Sequence, residues 1–280
     1  MSLTPKISLY ASAARPQNWL KLYESIKSNE CKFEIVFVGP NEPKKKLPDV
    51  FRFIKSNTKP VQCAHIAAMH SKGDFLLHCV DDLVFKDDQA LDKMLSLYED
   101  NKGASKELIL SPKLMRDGKP YDEDNYKLYP ENEDCPVIPI SLFIKKALFV
   151  ELEGYDLNFI ASMADTDLSY RAKATKGATI ELADLFVEES KDESLGGTLF
   201  SDYSDNDLTL LRNLWFKDGL FLNNRSQTFE GFSSEGIIIN TQGNPGRWKV
   251  TNNLMARFVT SELFYRLKNI FKRLRTFFRL

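Results

Sequence analysis

Paired cysteines, histidine clusters, long apolar runs and an excess of one charge are all missing from this sequence. Its 280 residues hold four cysteines and three histidines. Cys31, Cys63, Cys79 and Cys135 form no CxxC pair, and the sequence starts without a basic-then-apolar signal segment, so a reduced cytoplasmic compartment is expected. His65 and His70 are five positions apart on a predicted helix, about 140° from each other, and His78 projects from a predicted strand. That spacing favours structural histidines over a metal cluster. No apolar run approaches the ~18–20 residues needed to cross a bilayer, which excludes a multi-span integral enzyme. Thirty-eight basic residues against thirty-nine acidic ones leave a net charge of −1, and nucleic acid is not an expected partner. No internal repeat is present.

What the chain does have is enough apolar material, 43% of its residues, for a substantial core. Residues 6–10 read as a strand, 12–18 as a polar loop, and Trp19, Leu20, Leu22, Tyr23 and Ile26 as a helix. Phe33 to Val38 is a second strand ended by Gly39-Pro40, followed by an exposed loop over 41–48. Cys63 to Ser71 predicts a helix, and Phe75 to Val80 a strand running into Asp81-Asp82. Further on come a helix over 88–99, a short strand at Leu108 to Leu110, a polar loop over 116–135 and a strand from Val137 to Ile144. Helices are expected at 146–151, around Asp165 to Lys173 and near 207–216, with a strand over 178–187. Alternating units of this kind predict a mostly parallel sheet flanked by helices, which binds ligands at the carboxyl ends of its strands.

Asp81-Asp82 stand at such an end. Adjacent carboxylates there suit a hard divalent cation bridging a diphosphate. They equally suit a plain turn that ends a strand, and the pair alone does not decide between the two.

The context does more. Ile7 to Pro16 with its Arg15-Pro16, Phe33 to Val38, Lys72-Gly73-Asp74 leading to Asp81-Asp82, Gly154-Tyr155-Asp156, and Met163-Ala-Asp165-Thr-Asp167-Leu-Ser-Tyr-Arg171 occur in order over residues 6–190. In that order and spacing they resemble glycosyltransferase family 2, inverting enzymes with the GT-A fold. The resemblance implies an α/β, Rossmann-like GT-A domain over 1–215, followed by an extension over 216–253 and a basic segment over 254–280. It implies transfer of one sugar from a nucleotide-sugar donor, with Mg²⁺ or Mn²⁺ as cofactor, to a cell-envelope glycan or lipid-linked acceptor. Ser12 and Arg15 fall in the nucleotide-contacting loop, Asp82 becomes the main metal ligand, and Asp81 contacts the donor or the metal. Asp165 becomes the base, taking the acceptor hydroxyl proton while the carbon–oxygen bond forms. Read without the family, Asp165 is equally a helix N-cap, and Asp167 with Arg171 is an intrahelical ion pair.

Several family groups are missing. Gly39 stands where an Asp ends the second strand, Ala164 where a Glu precedes the base, and Val80 at the first position of the Asp-x-Asp triplet. The usual late His is absent, leaving Glu188 or Glu189 as substitutes. These departures keep open a second reading, a catalytically degenerate GT-A module that binds a glycan, nucleotide sugar or partner protein. A sugar nucleotidyltransferase is disfavoured by the lack of a glycine-rich phosphate loop after the first strand. Arg247, in Asn244-Pro-Gly-Arg247-Trp248, is either a clamp on the diphosphate or a surface arginine. Residues 254–280 carry a local charge of +6 against −7 for the remainder. Plotted as a helix, Phe264, Leu267, Phe271, Leu274 and Phe278 fall within one apolar arc, with Lys268, Lys272, Arg275 and Arg279 opposite. Such a helix lies peripherally on an anionic inner membrane face, or packs on the catalytic domain or in a homodimer interface.

Overall fold

The computed structural model describes residues 4–101, 107–116, 118–156, 158–189 and 200–226, with side chains from residue 204 onward in the last stretch. Arg247 and the basic segment 254–280 lie outside the described residues.

The chain opens with β1 (Ile7–Ser12), α1 (Trp19–Ile26), β2 (Phe33–Gly39), β3 (Phe51–Lys55), α2 (Pro60–His70) and β4 (Phe75–His78). Then follow β5 (Leu83–Phe85), α3 (Ala90–Asp100), β6 (Leu108–Arg116), β7 (Lys119–Pro120), β8 (Phe143–Lys145) and α4 (Lys146–Glu151). The described chain ends with α5 (Ala164–Lys176), β9 (Thr179–Glu189), α6 (Phe200–Trp215) and the hairpin of β10 (Phe216–Lys217) and β11 (Leu220–Phe221).

One sheet runs in the order β3-β2-β1-β4-β8-β6-β9-β5, with β7 on β6. β3, β2, β1 and β4 are parallel to one another. Because β8 is antiparallel to both β4 and β6, and β6 is parallel to β9, β6 and β9 point the same way as the first four. The sheet is therefore mostly parallel, as expected. Alternation along each strand sends side chains to two separate cores. Leu9, Leu77 and Phe37 meet α1 and α3 on one face, while Tyr10, Leu76 and Val36 meet α2, α4 and α5 on the other. Trp19 of α1 sits edge-on to Phe37, 5.0 Å between centroids. Burying each such ring contributes on the order of 2–3 kcal/mol.

The elements depart from expectation where hydrogen bonding overrides apolar content. The strand expected over Val137 to Ile144 is confined to Phe143–Lys145. Pro136 and Pro139 have no N–H to give a ladder, and neighbouring amides turn elsewhere, Ile138 to the Tyr126 carbonyl and Ile140 to the Ser111 hydroxyl. β6 runs far past Leu110, because β9 pairs with it as far as Met115. β4 stops at His78, since Leu83 N–H closes a turn on the Val80 carbonyl. β3 and β5 are additional short strands.

Candidate active site

That turn carries Asp81 and Asp82 at the carboxyl end of β4, beside the carboxyl end of β1. Both aspartates are buried, and they face the loop after β1. Asp81 Oδ2 accepts the backbone N–H groups of Ala14 and Arg15 at 2.7 and 2.6 Å. Its Oδ1 accepts Arg15 Nε at 2.8 Å and also Nη2 of the same guanidinium. Arg15 Nη1 and Nη2 then donate to Asp82 Oδ2 and Oδ1 at 2.6 and 2.7 Å. One guanidinium thus spans two carboxylates, the charge-assisted fork geometry that favours arginine. Among the residues singled out in the sequence, Arg15, Asp81 and Asp82 come together.

The charges do not balance. Burial pushes the Asp82 carboxyl up to about 6; Arg15 opposes this, while the nearby Asp81 and Glu189 charges add to it. Three negative charges near one guanidinium leave a local excess that a divalent cation would offset. Among the described residues no group of three or more His, Cys, Asp or Glu gathers around one point. Mg²⁺ and Mn²⁺ are commonly held by one or two carboxylates, with substrate phosphates completing the shell, and Asp82 is the residue suited to that role.

The strand that presents Asp81 and Asp82 also holds the expected base. His78, on the same face of β4 as Leu76, points toward α5, and its Nδ1 lies 3.2 Å from Asp165 Oδ2. Asp165 is not the N-cap of α5. The cap is Met163, which has the left-handed φ of 61°, and Asp165 Oδ1 accepts the adjacent Thr166 N–H at 2.9 Å. The His78 ring is held by Tyr10 of β1 and Tyr155, at centroid distances of 5.2 and 6.1 Å, and the two phenols share a hydrogen bond of 2.5 Å. The expectation for His78 was a structural histidine; the structure places it against Asp165, Tyr10 and Tyr155.

The two later motif segments meet through buried charge. Arg171 pairs with Asp167 at 2.8 Å, as the i,i+4 spacing predicted, and also donates to the Leu152 and Gly154 carbonyls, fixing the turn that carries Tyr155 and Asp156. Arg225 donates to both Asp156 and Asp167, and Trp215 Nε1 donates to Asp167 at 2.9 Å. Asp207 of α6 accepts the backbone N–H groups of Ile160, Ala161 and Ser162, holding the loop that enters α5 just before Asp165. Gly154 has φ of 68°, and a Cβ there would come within 2.3 Å of the His65 ring. His65 itself accepts the Tyr155 N–H through Nδ1, so it serves the framework.

At the positions that differ from the glycosyltransferase family 2 pattern, the packing limits what can stand there. A Cβ on Gly39 would lie 1.9 Å from the Ala13 carbonyl oxygen, so no side chain fits at the end of β2 while the β1 loop keeps its path. Ala164 is buried in the core, where a Glu would have to stand. Val80 packs against the α1 and α3 side. Glu188 is not brought to Asp82; it pairs with Lys86 of the segment after β5, and by strand alternation Glu189 is the residue whose charge reaches Asp82. Ser12, on the Tyr10 face of β1, is drawn away from the aspartates and joins Thr58 and Ser56 around the buried Cys63 thiol.

No protein-family model matches this sequence, and no curated protein matches it. Solved structures do. S. aureus TarS, a glycosyltransferase with a GT-A-like fold, matches with a TM-score of 0.52 and 14% identity over 74% of this chain and 40% of that one. A TarS 1-349 fragment in complex with UDP-GlcNAc gives a TM-score of 0.49 and 14% identity over 74% and 67% of the two chains. A further structure of that fragment gives 0.48 and 15% over 65% and 60%. The chain thus spans 60% of this last fragment and 40% of the longer TarS, less than two thirds of either. The topology described above and the likeness at 0.52 define an α/β fold of the GT-A type.

Proposed function

We propose that the chain is a nucleotide-sugar-dependent glycosyltransferase that works by single, inverting displacement in the manner of glycosyltransferase family 2. One observation carries this reading: the buried Asp81-Asp82 turn, excess in negative charge and clasped by Arg15, shares a strand with His78, which engages Asp165. Ligands of parallel α/β sheets bind at this end. Arg15 suits a phosphate as well as a carboxylate, and Asp82 would hold Mg²⁺ or Mn²⁺. When bound, that cation would offset charge on the departing nucleoside diphosphate. Asp165 supplies the negative charge that draws the proton from the acceptor hydroxyl. A nucleotide sugar as donor also agrees with TarS, which has been crystallised with UDP-GlcNAc, although the reading rests on the residues of this site. For the acceptor we propose a cell-envelope glycan or lipid-linked sugar, with the basic segment 254–280 meeting an anionic membrane.

One feature favours a second reading, a GT-A module that binds without turnover. Every carboxylate oxygen of Asp81 and Asp82 already accepts a hydrogen bond from Arg15 or from the backbone. A product assay separates the two. The full chain, given Mg²⁺ or Mn²⁺, a panel of nucleotide sugars and glycan or lipid-linked acceptors, is expected to release nucleoside diphosphate. Asp82→Asn should lower that release by about two orders of magnitude or more. Tight nucleotide binding without release from any donor would decide for the binding module.

A further inference from the structure

Resting on the glycosyl-transfer reading, we propose that His78 is the group that accepts the acceptor's proton, with Asp165 acting as its orienting partner. Both oxygens of Asp165 are engaged, Oδ1 by the Thr166 N–H and Oδ2 by His78 Nδ1. A proton on Nδ1 facing that carboxylate leaves the lone pair on Nε2, the tautomer that an aspartate imposes on a working imidazole. The ring is fixed on two sides, by Tyr10 and by Tyr155, yet the side chain remains 18% exposed. Its Nε2 is not among the buried side-chain atoms left without a partner. Among the described residues, His78 therefore has one nitrogen anchored to a carboxylate and the other without a hydrogen-bond partner, on the strand that runs directly into Asp81 and Asp82.

In the step assigned to it, the acceptor hydroxyl gives its proton to His78 Nε2 while its oxygen lone pair forms the bond to the anomeric carbon. The bond from that carbon to the diphosphate oxygen breaks, and its electron pair leaves with the nucleoside diphosphate. The imidazolium so formed is stabilised by Asp165 and returns its proton to solvent. Besides Asp165 from α5, the titratable groups facing the ring are Tyr10 of β1 and Tyr155 of the loop after α4. Burial holds both phenols well above their ordinary range, so they stay neutral beside the ring.

His78→Asn tests this. Its amide can still donate to Asp165, as Nδ1 does, but it offers no base. With the full chain, donor and acceptor of the product assay, kcat should fall by about 10²–10⁴-fold, while nucleoside diphosphate binding measured by calorimetry should be unchanged. Added imidazole should restore part of the rate in His78→Gly. A His78→Asn variant that binds nucleotide and keeps kcat within a few-fold overturns the proposal alone. Absence of release from the wild-type chain would instead end the glycosyl-transfer reading, and the proposal with it.

Discussion

The residues of the site divide by what their surroundings demand. Asp81 is committed to the loop after β1, taking two backbone amides and two arginine nitrogens, whereas the Asp82 carboxylate accepts from the same guanidinium and is the carboxyl whose burial outweighs that pairing. Gly39 shows why a missing family group need not mean a damaged site: the Ala13 carbonyl occupies the space. Gly39→Ala should displace the 13–15 loop, cost about 1–3 kcal/mol as overpacking, and weaken nucleoside diphosphate binding; unchanged stability in urea and unchanged binding would show that the loop yields freely. Asp81-Asp82 could be read from the sequence because an apolar strand leads into them. Arg15 was legible only through the family resemblance, and Glu189 could not be told from Glu188 without the strand's facing. The contact of His78 with Asp165 could not be read from the sequence, because Asp165 lies far along the chain and spacing carries no trace of it.

Among the elements, those that hold the site are joined by buried charge as much as by apolar contact. Asp156 and Asp167 are both fully buried, and burial pushes the Asp156 carboxyl up against the opposing pull of Arg225. Removing one partner of such a network strands the other charges. Arg225→Met is therefore expected to lower the free energy of unfolding by about 3–5 kcal/mol, read from urea denaturation, and Asp156→Asn in the same chain should recover part of the loss. A loss below ~1 kcal/mol would mean that α5 and the Tyr155 turn do not depend on this link. The helices of the first half were legible from their periodicity, and α4 from its apolar positions. Strand limits were not, because β6 is extended by a neighbour distant in sequence and the segment before β8 is shortened by its prolines. Nothing in the sequence marked Arg225 or Asp207 as partners of the region around Asp165, since both bonds join α5 or its entrance to chain some 40–70 residues away.

Taken as a whole, the molecule brings distant segments to one sheet edge: the loop after β1, the turn after β4, the end of β9 and the start of α5. The parallel order β3-β2-β1-β4 sets the carboxyl ends of β1 and β4 side by side, and that adjacency lets Arg15 reach both aspartates. The fold class was legible because alternating β and α units permit few arrangements, whereas the antiparallel insertion of β8 between β4 and β6 was not. The central claim is that this edge holds a nucleoside diphosphate through Arg15 and Asp82. Calorimetric titration of the full chain with UDP and other nucleoside diphosphates, with and without Mn²⁺, tests it most directly. The account predicts binding of at least one of them that strengthens with Mn²⁺ and falls by about tenfold or more in Asp82→Asn, about 1.4 kcal/mol. Affinity for every diphosphate that is absent, or equal in the wild-type chain and Asp82→Asn, would contradict it.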